Sequence, residues 1–327
     1  MERKMNENQK RIPMFSVCVI TYNQENFISQ TLESILSQKH DFSWELLVGD
    51  DCSSDGTRKI IQEYAEKFPE IVRPIFNEKN LGLVKNFFSV MKNARGKYIM
   101  ECAGDDWWLP GKAKTQIDFM ENHPEIGMCY GKCFTYKDGK KLDEKKAGWI
   151  VKKTFAEFIQ GNSVPALTVC YRKELFDSYV AEINPEEKNW LMEDYPMWLY
   201  FSKNSRLEFL NEYFACYRAL EGSASHQTDF DKAFLFAKSF YAIRKFFAEK
   251  YNFSCESFSD EKIKFGIYLG KLDESYDKNS AKSMAAEFKK MPDKTFKRKI
   301  FFYASKNFFF WKIFKLARKI HSLRKIK

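Results

Sequence analysis

"GKYIMECAGDDWWLPGK" (96–112) runs from an apolar, β-prone stretch straight into two adjacent carboxylates and two tryptophans. Lys97–Cys102 reads as a buried strand, and Pro110 opens a helical segment through "KAKTQIDFMENH" (112–123). Asp105 and Asp106 therefore fall just past the carboxyl end of a strand. Alone they could be ordinary turn residues. Their meaning depends on what stands at the other strand ends.

Working outward, "FSVCVI" (15–20) is a continuous apolar run, as a strand covered on both faces requires. "NFISQTLESILSQ" (26–38) carries Phe27, Ile28, Leu32, Ile35 and Leu36 as a helical stripe. "WELLVGD" (44–50) and "VRPIF" (72–76) read as strands, and "RKIIQEYAEKF" (58–68) and "GLVKNFFSVMKNA" (82–94) as helices. "GMCYGKCFTY" (127–136) is a further strand. Strands alternating with helices predict an α/β fold with a mostly parallel sheet flanked by helices.

The polar motifs recur at one edge of that pattern. "TYN" (21–23) follows the first strand, "GDDCSSDGT" (49–57) the second and "AGDDWW" (103–108) the fourth. Ligands of open α/β sheets bind at the carboxyl ends of the strands. Asp105 and Asp106 offer hard oxygen ligands that suit Mg²⁺ or Mn²⁺, and Mg²⁺ held by one or two carboxylates completes its shell with water and substrate phosphates. The expected substrate is thus phosphorylated, most simply a nucleoside diphosphate derivative. No Gly-x-x-x-x-Gly-Lys-Ser/Thr loop occurs, and no Gly-x-Gly-x-x-Gly follows the first strand, which argues against a P-loop NTPase and a dinucleotide dehydrogenase.

Composition sets the outer bounds. The 327 residues are 44% hydrophobic and 30% charged, which places the chain among globular proteins. No run long enough to span a bilayer is present, and "MERKMNENQKRIP" (1–13) lacks the apolar core of a secretory signal. The eight cysteines form no Cys-x-x-Cys pair and only four histidines occur, so neither a zinc site nor a disulfide framework is expected, and a reducing cytoplasm fits. The net charge of +10 is unevenly placed: the last 34 residues, from Lys294, hold twelve Lys or Arg and no acidic residue, leaving 42 basic against 44 acidic residues elsewhere.

"SVCVITYNQENFISQTLESILSQ", "ELLVGDDCSSDGT", "NEKNLGLVKNF" and "GKYIMECAGDDWWLPGK" together resemble, in order and spacing, the family 2, GT-A-fold glycosyltransferases of bacterial surface glycans. The resemblance continues more weakly through "WLMEDYPMWLYF" (190–201) and "ACYRALEGSASH" (215–226). It implies an inverting, metal-dependent transfer of a sugar from a nucleotide-sugar, a UDP-sugar first among them, to a glycan or lipid-linked acceptor hydroxyl during capsule, O-antigen or lipopolysaccharide synthesis. Thr21, Tyr22, Asn23, Lys85, Gly104 and Arg218 fall at donor-binding positions, and Asp51, with Asp50, at the carboxylate that reads the base or ribose. Asp105, assisted by Asp106, takes the metal position. Asp194, with Glu193 beside it, takes that of the general base. Ala103 stands where the family's first Asp of Asp-x-Asp is usual, and Lys85 where an Arg is frequent.

On this reading 1–14 is a polar tail, 15–135 the nucleotide-sugar half, 136–228 the acceptor half, 229–293 a helical extension and 294–327 a basic amphipathic tail. Trp107 and Trp108 serve either as sugar-stacking rings or as packing, Tyr217 and Arg218 either as diphosphate contacts or as a strand end, and His226 as a loop residue. In the tail, Phe309, Ile313, Leu316, Ile320 and Leu323 recur at four-three spacing among cations, the pattern of a helix in an anionic membrane interface at the inner face of the cell membrane. No nucleic-acid partner is expected. Two other classes share these features: a nucleotidyltransferase, which would release pyrophosphate, and a membrane-binding adapter whose active site has decayed.

Overall fold

In the computed structural model, residues 12–137, 139–142, 150–220, 229–254, 259–274, 276–291 and 296–313 are described. They form two compact units, one essentially residues up to Ala219 and the other from Leu220 onward.

The first unit is built as the apolar runs predict. β1 (Phe15–Thr21), α1 (Ile28–Leu36), β2 (Trp44–Asp50), α2 (Thr57–Lys67), β3 (Val72–Phe76), α3 (Leu83–Met91) and β4 (Tyr98–Ala103) alternate along the chain. β1 pairs in parallel with both β2 and β4, and β2 with β3. Val17, Val19, Leu46, Val48, Tyr98 and Met100 are fully buried because helices cover the sheet on both sides.

The second half of this unit is mixed. A two-residue β5 (Trp107–Trp108) leads to α4 (Lys112–Asn122), then β6 (Ile126–Lys137), β7 (Lys140–Leu142), α5 (Phe155–Phe158), β8 (Cys170–Arg172), α6 (Lys173–Ile183), α7 (Asp194–Asn204) and β9 (Arg206–Arg218). The sheet order is β3-β2-β1-β4-β8-β6-β9-β5, with β7 beside β6. β8 is antiparallel to both β4 and β6, whereas β9 runs parallel to β6. The boundary read at 135/136 falls inside β6, so the two expected halves share one sheet.

At the amino ends of the strands, Glu45 is 2% exposed and accepts from Ser16, Arg73 and Arg95 at 2.6–2.7 Å. Burial pushes its carboxyl up, but the bonds from Arg95, Ser16 and Arg73 outweigh it and hold the group below the usual range. This network clamps the edge opposite the predicted site.

The second unit is helical: α8 (Phe230–Lys250), α9 (Asp260–Glu274), α10 (Lys278–Lys290), α11 (Phe296–Ser305) and a turn of helix at 308–313. Phe265, Leu272, Met284, Phe288, Met291, Phe302 and Trp311 make its core. The sequence draws a line at Lys294 between extension and tail; α11 and Trp311 pack into the same core as α9 and α10. Leu316, Ile320 and Leu323 of the predicted stripe, and His226, lie outside the described residues.

Candidate active site

The turn after β4 is positioned by α1. Thr31, Ser34 and Gln38 recur at helical spacing and hold the 104–109 segment through its backbone. Thr31 Oγ1 donates to Gly104 O and Asp106 O (2.9 and 2.6 Å), Ser34 Oγ accepts from Trp108 N (3.0 Å), and Gln38 Nε2 donates to Leu109 O (3.0 Å). The turn also presses on the end of β1. A Cβ at Gly104 would stand 2.6 Å from Thr21 Oγ1 and 2.7 Å from Thr21 Cβ, so only glycine fits.

Two loops brace each other beside this turn. Asn23, at φ +52°, accepts from Ser54 N through Oδ1 (2.8 Å), while its own N–H donates to Ser53 Oγ (2.9 Å). Gln24 N donates to Thr57 Oγ1 and Gly56 N to Glu25 Oε2 (2.8 and 2.6 Å). Thr21 is buried, donating to Gln24 Oε1, and Tyr22 is 48% exposed above it.

The two aspartates of "GDD" have different employment. Asp51 accepts from Leu81 N, Gly82 N and Asn77 Nδ2 at 2.8–3.0 Å, so both its oxygens are spent shaping the 77–82 loop. Asp50 accepts from Ser53 N and Arg58 Nε through Oδ2, and its buried Oδ1 has no partner among the described residues. The resemblance puts Asp51, with Asp50, at the base- or ribose-reading position; of the pair, Asp50 Oδ1 is the oxygen without a partner among the described residues. Lys85 is exposed on the first turn of α3.

Asp105 and Asp106 are brought against the end of β9. Arg218 N donates to Asp106 Oδ1 (2.7 Å), its Nε to Asp105 O (2.8 Å) and its Nη2 to Gln30 Oε1 (2.6 Å). The guanidinium lies 4.6 Å from the Phe27 ring centre, 4.8 Å from Trp107 and 5.3 Å from Tyr136. Burial pushes both carboxyls up; Asp105 raises Asp106 further, and Arg218 opposes the rise. Trp108 is core, 2% exposed with Lys112 Nζ 4.2 Å over its ring, while Trp107 is half-buried.

Among the described residues no cluster of three or more metal-ligating side chains occurs. A pair of adjacent carboxylates with raised affinity for a proton nevertheless suits a divalent cation whose remaining ligands are water and phosphate oxygens. Asp105 and the free oxygen of Asp106 are the donors available.

Glu193 and Asp194 stand at the N-terminus of α7. Asn162 Nδ2 donates to Asp194 Oδ2 (2.8 Å) and Tyr195 N to Asp194 Oδ1 (2.6 Å). Burial raises Asp194, and burial plus the Asp194 charge pushes Glu193 up to about 8. Glu101, on β4, is 5% exposed and accepts from Tyr171 OH at 2.5 Å. Burial pushes it up to about 8, against the Tyr171 bond, with Asp194 adding to the rise and Lys112 opposing it. Lys112 is fully buried, donates to Gln116 Oε1 and Val169 O (2.7 and 3.1 Å), and is pushed down to about 8 by burial. β4 thus carries one carboxylate that feels Asp194 and leads into the turn of Asp105 and Asp106. Sequence reasoning passed over Glu101, Lys112 and Asn162; a charge inside the apolar run "YIMEC" was the available signal for the first.

Residues 16–179, half of the chain, match glycosyl transferase family 2. The chain belongs to that family. Among its relatives are an uncharacterized Mycobacterium tuberculosis protein, Rv1520, 34% identical over 52% of this chain and 50% of the relative, and the putative teichuronic acid biosynthesis glycosyltransferase TuaG of Bacillus subtilis, 29% identical over 65% and 82%. The Escherichia coli UDP-Glc:alpha-D-GlcNAc-diphosphoundecaprenol beta-1,3-glucosyltransferase WfgD is 28% identical over 65% and 79%. The chain spans about half the length of its mycobacterial relatives. The S. aureus TarS fragment crystallised with UDP-GlcNAc shares the fold at a TM-score of 0.58 and 19% identity, covering 84% of this chain and 79% of that one. The family 2 fold, a GT-A-like sheet flanked by helices with a helical C-terminal region, is therefore the architecture described above.

Proposed function

We propose that this family 2 chain transfers a sugar, with inversion, from a nucleoside-diphosphate sugar to a hydroxyl of a glycan or lipid-linked acceptor in cell-surface polysaccharide assembly. One observation carries the mechanism: Asp194 is fixed by Asn162 and the Tyr195 N–H, next to Glu193 and within reach of the charge on the buried Glu101. Those bonds and the helix N-terminus favour its ionised form, while desolvation raises its proton affinity. Desolvation and the Asp194 charge raise the proton affinity of Glu193.

An acceptor hydroxyl is a weak nucleophile. Asp194 takes its proton as the oxygen bonds to the anomeric carbon. The bond from that carbon to the diphosphate oxygen breaks, and its electron pair leaves with the nucleoside diphosphate. Attack opposite the leaving group inverts the centre without a covalent enzyme intermediate. Asp105, with Asp106, would hold Mg²⁺ or Mn²⁺, which supplies counter-charge to the diphosphate. Arg218 is a fixed cation against the same turn.

TuaG, by its name, acts in teichuronic acid biosynthesis, which supports a surface glycan; WfgD, by its name, takes UDP-Glc and a diphosphoundecaprenol acceptor, which supports a UDP-sugar and a lipid-linked acceptor here. A panel of UDP-, GDP- and dTDP-sugars, assayed with and without Mn²⁺, tests this. Release of nucleoside diphosphate from one donor, dependent on acceptor, is expected. Release of pyrophosphate from a nucleoside triphosphate would identify a nucleotidyltransferase instead.

A further inference from the structure

The second unit exposes more large apolar surface than its core requires. Trp311 is 1% exposed, and its indole N–H donates to Leu272 O at 2.8 Å. It anchors the turn of helix at 308–313. Phe309 and Ile313 fall on the side of that turn opposite Trp311, at 66% and 50% exposure, with Phe308 and Phe310 flanking at 59% and 60%. Tyr303, on α11, is 62% exposed and Ile300 38%. Such rings in water are the unusual observation; single exposed apolar residues are common, but a group of this size marks an interaction surface.

Within residues 296–313 every charge is a cation, although Asp277 follows the Tyr276 ring that Phe308 meets. Lys299, Lys306 and Lys312 are exposed among them, and Lys306 Nζ lies 4.7 Å from the Phe302 ring centre and 5.1 Å from that of Tyr303. From Lys294 to the last residue the sequence adds nine further cations and no acid. A second copy of the chain pairing through this surface about a two-fold axis would set these cations against one another. An anionic bilayer complements both features at once. Rings enter the acyl boundary, and lysines stay among the headgroups.

We propose that Tyr303, Phe308, Phe309, Phe310 and Ile313, with the cations around them, form a docking surface for an anionic lipid bilayer. No helix among the described residues is long and apolar enough to cross a membrane. Docking depends on the second unit alone and not on the activity read from the first.

Co-sedimentation of the full chain with phosphatidylcholine vesicles containing phosphatidylglycerol measures it directly. Phe309→Ser/Phe310→Ser/Ile313→Ser alters only exposed side chains, so circular dichroism and melting should match the parent. Vesicle binding should fall about tenfold or more. Lys306→Glu/Lys312→Glu should lower it by roughly fivefold for each cation, and added salt should weaken the parent's binding. Equal binding by parent and variants would overturn the docking role, as would failure of the parent to bind. So would a parent dimer that the triple variant converts to monomer while vesicle binding stays unchanged, which would make the surface a contact between copies.

Discussion

The backbone N–H of Arg218 donates to Asp106 Oδ1 at 2.7 Å, joining the end of β9 to the turn after β4 across 112 residues of sequence. The bond explains why two adjacent acids stand at that turn. Asp106, 4% exposed, is bound into the architecture, whereas Asp105 meets Arg218 through its carbonyl and Gln24 through its carboxylate. Asp106→Ala should therefore destabilise the first unit by about 1–3 kcal/mol, since it leaves a part-buried N–H unpaired. Thermal melting checks this; an unchanged melting temperature would show the bond to be dispensable.

Asp105→Asn should leave the melt nearly unaltered and remove most transfer activity, because the diphosphate loses its cation. EDTA should do the same to the parent, and Mn²⁺ or Mg²⁺ should restore it. Full activity in EDTA would separate the reaction from any metal.

Gly104→Ala should cost activity with a modest loss of stability. The added Cβ meets Thr21 Cβ at 2.7 Å, so the turn must move away from β1 and carry Asp105 with it. Donor affinity, measured by calorimetry, should fall. Unchanged affinity would show that the turn tolerates the shift.

Stability should decline as pH rises from about 4.5 to about 8. Glu101 shifts from an ordinary 4.5 to about 8 on folding, and Glu193 does likewise. Between these values the folded state holds protons that the unfolded chain has released, so rising pH favours unfolding. Lys112, pushed down to about 8, acts only above that window. Glu101→Gln stays neutral and can still accept from Tyr171, so it should flatten the decline when denaturation midpoints are compared across pH. An identical slope in the variant would remove Glu101 as its source.

The first half of the fold was legible because a parallel sheet buries both faces of its strands. "FSVCVI", "WELLVGD" and "VRPIF" are apolar without alternation, and β1, β2 and β3 match them to within a residue. The mixed half was less so. β8 has three residues and pairs on both sides, and the thirteen-residue β9 alternates too weakly to announce itself. The carboxyl-edge motifs did converge, but their division of labour depends on distant partners: Leu81 and Gly82 occupy Asp51, and Arg218 occupies Asp106. No local pattern encodes those bonds. The stripe read in the basic C-terminal segment begins at Phe309; beside it Phe301, Phe302 and Trp311 turn inward, which only the packing of α9 and α10 could reveal.

Asp194 as the base is the central claim, and Asp194→Asn tests it most directly. The change is nearly isosteric but cannot accept the acceptor's proton. With a UDP-sugar donor at saturation, turnover should fall roughly 10²–10⁴-fold while donor affinity by calorimetry stays close to the parent's. Preserved turnover with collapsed donor affinity would place Asp194 in the donor site and contradict the mechanism.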